Sequence, residues 1–164
     1  MLRTVRFVAL ASACFGMASL SLAACGSAMS PKPAISVNSA SAGFTGYDWL
    51  VVAIRHEGKI TSIRARFDVD LRFSRNGRFL ADDPVNSHSG TFRITPGGFA
   101  TSVLNVTAVG YGGHDPVILL SQSAISAFDN GTHAAARVTG NRLVVSVASY
   151  TLTCQRHGPA RKNL

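Results

Sequence analysis

The run Ser62–Ser74, SIRARFDVDLRFS, alternates strictly between apolar and polar residues. Ile63, Ala65, Phe67, Val69, Leu71 and Phe73 fall on one parity, and Arg64, Arg66, Asp68, Asp70, Arg72 and Ser74 on the other. A period of two gives each set its own face of a β-strand, whereas a helix would scatter the charges around its axis. Asn76-Gly77 follows and predicts a type I′ hairpin turn, whose two central residues both take positive φ. The chain then reverses through Phe79 and Leu80, passes Asn86-Ser87-His88-Ser89-Gly90, and enters another alternating strand at Thr91-Phe92-Arg93-Ile94. So amphipathic a sheet needs a cover for its apolar face, which the rest of the chain should supply.

The N-terminus reads as an address. Residues 1–24 carry Arg3 and Arg6 ahead of an apolar run rich in small residues, the layout of a secretory signal peptide. Leu22-Ala23-Ala24-Cys25 matches the bacterial lipobox, so Cys25 is the expected lipidation site. Two acyl chains hold at about 0.8 kcal/mol per buried methylene, where one chain is marginal. This predicts an extracytoplasmic location, cell surface or periplasm, with membrane attachment through the N-terminal lipid. Residues 25–43 are rich in Ser, Ala, Pro and Gly, and read as a flexible linker. Removing Arg3 and Arg6 with the signal leaves 14 basic residues against 8 acidic, a formal charge of +6. That excess suits an anionic polymer or membrane surface. Nucleic acid is not expected, because no basic helix or run of stacking aromatics accompanies the charge. Cys14 leaves with the signal and Cys25 takes lipid, so Cys154 has no partner for an intradomain disulfide and is expected to be a buried thiol.

Residues 44–157 form the expected folded domain, followed by a basic tail at 158–164. Tyr47–Ile54 is the first strand, with Trp49 anchoring one end of the core. Thr95-Pro96-Gly97-Gly98 is a turn, and Phe99–Val106 a further strand. Gly110, Gly112 and Gly113 lack the Lys-Ser or Lys-Thr of a phosphate loop and read as a connector. Asp115-Pro116 is an N-cap followed by proline, and opens the one convincing helix, at about 115–129. His133–Thr139, Asn141–Val147 and Tyr150–Arg156 read as the closing strands. The expected fold is mainly β (α+β): an antiparallel curved sheet or cracked β-barrel of about eight strands with one covering helix.

Trp49-Leu50, Phe73, Gly77, Asn86-Ser87-His88-Ser89-Gly90, Thr107, the single helix, and the Leu143 and Leu152 strands resemble, in that order, the META-domain family of HslJ-type bacterial envelope lipoproteins. Asn86 and Gly90 match the family's Asn-x-x-x-Gly segment, with Val85 where its Cys would stand, and Thr107 matches the Thr of its second segment, whose Cys is also missing. The resemblance spans about Tyr47–Arg156 and implies a barrel-like fold and an envelope location, without naming a reaction. Trp49, Asn86, Gly90 and Thr107 are the family-motif positions, expected to be structural: Asn bonds nearby backbone and Gly admits a bulge.

No side chains signal chemistry. The five His lack zinc-site spacing and are expected at the surface, and Asp82-Asp83 before Pro84 reads as a solvated turn. No Gly-x-Ser-x-Gly elbow occurs. No catalytic residue, metal site or cofactor is expected, and the protein is read as a monomeric, non-enzymatic binding or stress-response module. Arg64, Arg66 and Arg72 on the polar face of the central strand are the candidate surface for an envelope protein or anionic polymer. The alternative is a carrier of a small apolar ligand in a barrel cavity.

Overall fold

The computed structural model describes residues 43–128 and 131–160, except for the side chains of residues 103 and 104. The signal peptide, Cys25 and the linker up to residue 42 lie outside the described residues. Nine strands follow one another: β1 (Tyr47–His56), β2 (Lys59–Ser62), β3 (Asp70–Phe73), β4 (Arg78–Asp82), β5 (Ser87–Thr95), β6 (Gly98–Val106), β7 (His133–Thr139), β8 (Arg142–Val147) and β9 (Tyr150–Pro159). The one α-helix described, α1 (Pro116–Ser126), lies between β6 and β7.

All pairings are antiparallel, and β1 organises them. On one side it pairs with β9 from Tyr47↔Pro159 to His56↔Tyr150. On the other its first half pairs with β3 and its second half with β2. The remaining strands pair in sequence order back to β9. The result is a closed barrel of eight strands, with β2 a flap continuing the place of β3 along β1. Closure satisfies the backbone groups an open sheet would leave on its edges. The up-and-down order puts the turns 74–77, 96–97 and 140–141 at one end of the barrel, with both ends of the described chain. The turns 57–58 and 148–149 and the β6–β7 connection with α1 lie at the other.

Aromatic rings fill the interior. Phe99 has Phe44, Phe73, Phe79, Phe92 and Phe128 around it at centroid distances of 4.9–6.2 Å. Phe44, just before β1, plugs the end where the chain enters, and Trp49 Nε1 donates to its carbonyl at 2.9 Å. Phe128, just after α1, is fully buried and packs against Phe79 and Phe99. The helix begins as its residues require: the Val117 N–H donates to Asp115 Oδ1 at 2.8 Å, and Pro116 occupies the first turn. Gly98 permits β6 and β7 to approach, since a Cβ there would lie 1.9 Å from the Ala134 carbonyl oxygen.

Three expectations need correction. The alternating run is not one strand. Val52 O accepts from the Ile63 N–H and the Val51 N–H donates to Val69 O, so neighbouring residues of β1 bond residues on either side of an extruded Arg64–Asp68. That loop holds a 3-10 turn at Ala65–Phe67 and returns through Asp68 at φ 51°. Ile63, Val69, Leu71 and Phe73 are buried, whereas Ala65 is exposed. The Asn76-Gly77 turn is not type I′ either: Gly77 has φ 83° and Asn76 is not among the residues with positive φ. Instead the Gly77 N–H closes the turn on Ser74 O, and Asn76 Oδ1 accepts from the Ser74 hydroxyl and the Arg78 N–H. The paired positive φ values occur at Glu57 and Gly58, 49° and 77°, between β1 and β2. Finally, β9 continues through His157 to Pro159, into what the sequence presents as tail.

Phe99→Ala should cost about 3–5 kcal/mol in denaturant unfolding, because the ring is fully buried and its neighbours are held by closed ladders that cannot collapse into the void.

Candidate functional site

Two polar clusters and one groove are candidates. The first cluster holds Asn86 and Thr107, two of the four positions that the resemblance singles out. Asn86 bonds both backbone groups of one residue: its Oδ1 accepts from the Val109 N–H at 2.8 Å and its Nδ2 donates to Val109 O at 3.1 Å. Thr107 Oγ1 accepts from the Ser87 N–H at 2.9 Å. Together they pin the connection after β6 to the start of β5. Gly90 sits at the register shift between Ser89 and Thr91, the single β5 residue opposite the two positions, 103 and 104, at which β6 bulges. Trp49 is fully buried.

Beneath this lies a pair that sequence reasoning missed. Asp83 and His88 are both buried, not a solvated acid and a surface histidine as expected. His88 Nε2 stands 3.2 Å from Asp83 Oδ2, and Asp83 Oδ1 accepts from the N–H groups of Val85 and Asn86 at 2.8 and 2.9 Å. The spacing Asp-Pro-x-Asn ahead of a strand is the available signal, since an Asp folding over the following N–H groups makes an Asx turn. The pair positions the β4–β5 turn that presents Asn86.

The second cluster replaces the expected row of charges. Arg64 and Arg66 are exposed on the extruded segment, while Arg72 is in β3 with its guanidinium already occupied. Its Nη2 lies 2.9 Å from Asp70 Oδ2 and 2.6 Å from Asp82 Oδ2, a cross-strand pair of carboxylates. Arg72 therefore does not join Arg64 and Arg66 in an open acceptor surface. Asp70 Oδ1 and Asp82 Oδ1 are buried without a hydrogen-bond partner among the described residues. Burial, only partly opposed by Arg72, pushes the Asp70 carboxyl up to about 6.

The groove, about 610 Å³, runs between the β1–β2 hairpin and α1, with Ile60, Val117 and Leu120 on its walls and Glu57 and Lys59 at its rim. His56, also lining it, stacks on Tyr150 at 4.4 Å and has Ser149 Oγ 3.3 Å from its Nδ1. Cys154 is fully buried, and burial pushes its thiol up, which keeps it from reacting as a thiolate. Among the described residues no group of three or more His, Cys, Asp or Glu is placed to hold a metal ion, and no helix is long and apolar enough to cross a membrane.

Two variants separate the roles of these clusters. Because Asp70 titrates above its ordinary 3.8, it favours the fold at low pH, and that contribution is lost as pH rises through about 6. Asp70→Asn should flatten the fall in melting temperature over that window and be more stable than the parent at neutral pH, with Arg72 still held by Asp82. Asn86→Ala should cost about 1–2 kcal/mol and speed hydrogen exchange at the Val109 amide, while leaving the amides of β8 and β9 protected.

No family model matches the chain, and no curated protein matches it. Two solved structures do. An NMR structure of a protein from Burkholderia xenovorans superposes with a TM-score of 0.57 at 14% identity, covering 84% of this chain and 99% of that one. A second NMR structure superposes with a TM-score of 0.54 at 18% identity, covering 70% and 92%. At such identities the likeness is one of fold.

Proposed function

We propose that the protein is a lipid-anchored, non-enzymatic binding module of the bacterial envelope with a META-like domain, held to the membrane through Cys25 and contacting an anionic envelope protein or polymer. The lipobox supports the anchor. The observation that carries the binding reading is how the barrel divides its charges. Asp70 and Asp82 are engaged with Arg72, Asp83 with His88 and the backbone, and Asp115 with the helix start, while Asp48 is buried. Glu57 and Asp68 are the exposed acids among the described residues, against nine exposed Arg and Lys side chains. A surface depleted of acids attracts anionic partners at long range. Arg64 and Arg66, exposed on a segment outside the ladder, are placed to meet one.

The carrier alternative has less support, because the interior that would hold a ligand is packed with rings. A carried molecule would be limited to the groove beside α1.

Native mass spectrometry of the full chain exported to an envelope should give the acylated protein from Cys25 without added mass, and a reproducible adduct would favour the carrier. Arg64→Glu/Arg66→Glu should lower the recovery of crosslinked envelope partners several-fold, and equal recovery would reject this surface.

A further inference from the structure

The exposed basic residues are not spread evenly. Arg75 lies in the β3–β4 turn and Arg78 opens β4. Arg93 lies beside the β5–β6 turn, diagonal to Arg78 across the Arg78↔Thr91 pair. Arg137 and Arg142 flank the β7–β8 turn. All five are exposed, none is in an ion pair among the described residues, and neither exposed acid is near them, since Glu57 is at the opposite end and Asp68 on the wall. Ile94, 48% exposed, stands at the same end beside Arg93.

This is also the end where the chain enters. Gly43 abuts the Val138 side chain, and the Arg75 side chain runs over Gly46, where a Cβ would lie 2.9 Å from Nε. Residues 43–46 thus cross the barrel mouth from β7 to the β3–β4 turn, and whatever precedes Gly43 departs from among these arginines.

We propose that this basic end is a docking surface for anionic phospholipid headgroups, and that the barrel lies with it against the membrane that holds its lipid. The orientation rests on the Cys25 reading, whereas the surface itself does not. A linker of residues 25–42 reaches roughly 60 Å if extended, far beyond the Debye length of about 8 Å over which headgroup charge is felt at physiological salt. The anchor alone therefore leaves the domain free to roam, and the patch is what holds it down. Each Arg close to an anionic surface contributes about a fivefold gain in partition, so three contribute about a hundredfold, with Ile94 placed to enter the headgroup layer.

The test uses the chain from Cys25 onward, made without acyl groups, sedimented with vesicles of equal parts phosphatidylglycerol and phosphatidylcholine. Binding should be strong at low salt, fall steeply as salt is raised, and be absent on phosphatidylcholine alone. Arg75→Ala/Arg78→Ala/Arg93→Ala should lose about a hundredfold. Arg55→Ala/Lys59→Ala, two charges removed away from the patch, should lose little. Arg75→Lys/Arg78→Lys/Arg93→Lys should retain binding, which separates charge from any effect on folding. A loss in Arg55→Ala/Lys59→Ala equal, charge for charge, to that of the patch triple, equal binding to both vesicle types, or no binding at low salt would each overturn the proposal. Because no lipid is attached, a failure here leaves the Cys25 reading intact. A failure of that reading, seen as an unacylated N-terminus in the soluble fraction of exporting cells, leaves the vesicle result standing.

Discussion

The structure depends on β1 being bound along both sides at once. Its ladder with β9 closes the ring, and its opposite edge is shared between β3 and β2. A strand in that position cannot slip by one residue without turning Trp49 and Val51 out of the core. Two register shifts against β9, at Asp48/Trp49 and Val51/Ala53, let the ladder continue while β1 bends around the barrel. Once the ring is closed, the Phe cluster, Phe44 and Phe128 included, takes its spacing from the walls.

How much of this the sequence disclosed depended on whether a residue's role was local. Alternation, turn residues and the Asp-Pro start were enough for a mainly β fold with one helix, because each is decided within a few positions. The extrusion of Arg64–Asp68 is decided elsewhere, by which residues β1 has left to bond. An extruded loop that keeps an alternating composition looks the same as a strand. For the same reason Arg64, Arg66 and Arg72 read as one row, while the carboxylate that occupies Arg72 from the neighbouring strand, Asp82, lies ten positions away. Asp83 and His88 read as solvated because Pro and Asp usually mark exposed turns, whereas they continue the inward-facing parity of Phe79 and Ala81 on β4 and of Phe92 on β5. Cys25 lies outside the described residues, so its part in the reading remains a matter of sequence.

The acids carry a double consequence. A chain with fewer acids than bases has drawn most of its carboxylates into caps, turns and one crowded triad. There they do structural work at some electrostatic cost, as the raised Asp70 shows. What is left outside is a basic surface whose sign cannot be cancelled by small rearrangements, because the compensating groups are fixed by the fold. Fold and surface charge are in this sense one arrangement, and a substitution that frees a buried Asp would alter both.

Entry of the chain at the start of β1 also decides how the domain would bear a load on its N-terminus. The incoming chain leads through the buried Phe44 directly into the strand that is bonded on both sides, and Ala160, at the far end of the sequence, bonds back to Gly46 at 2.9 Å. A pull on the chain ahead of Gly43 is therefore directed along β1 rather than across it. Pulling a strand lengthwise strains its cross-strand bonds together, in shear, whereas pulling at an edge opens them one after another like a zip. A domain held through its N-terminus, as the proposed anchor would hold this one, is loaded in the stronger of these two geometries.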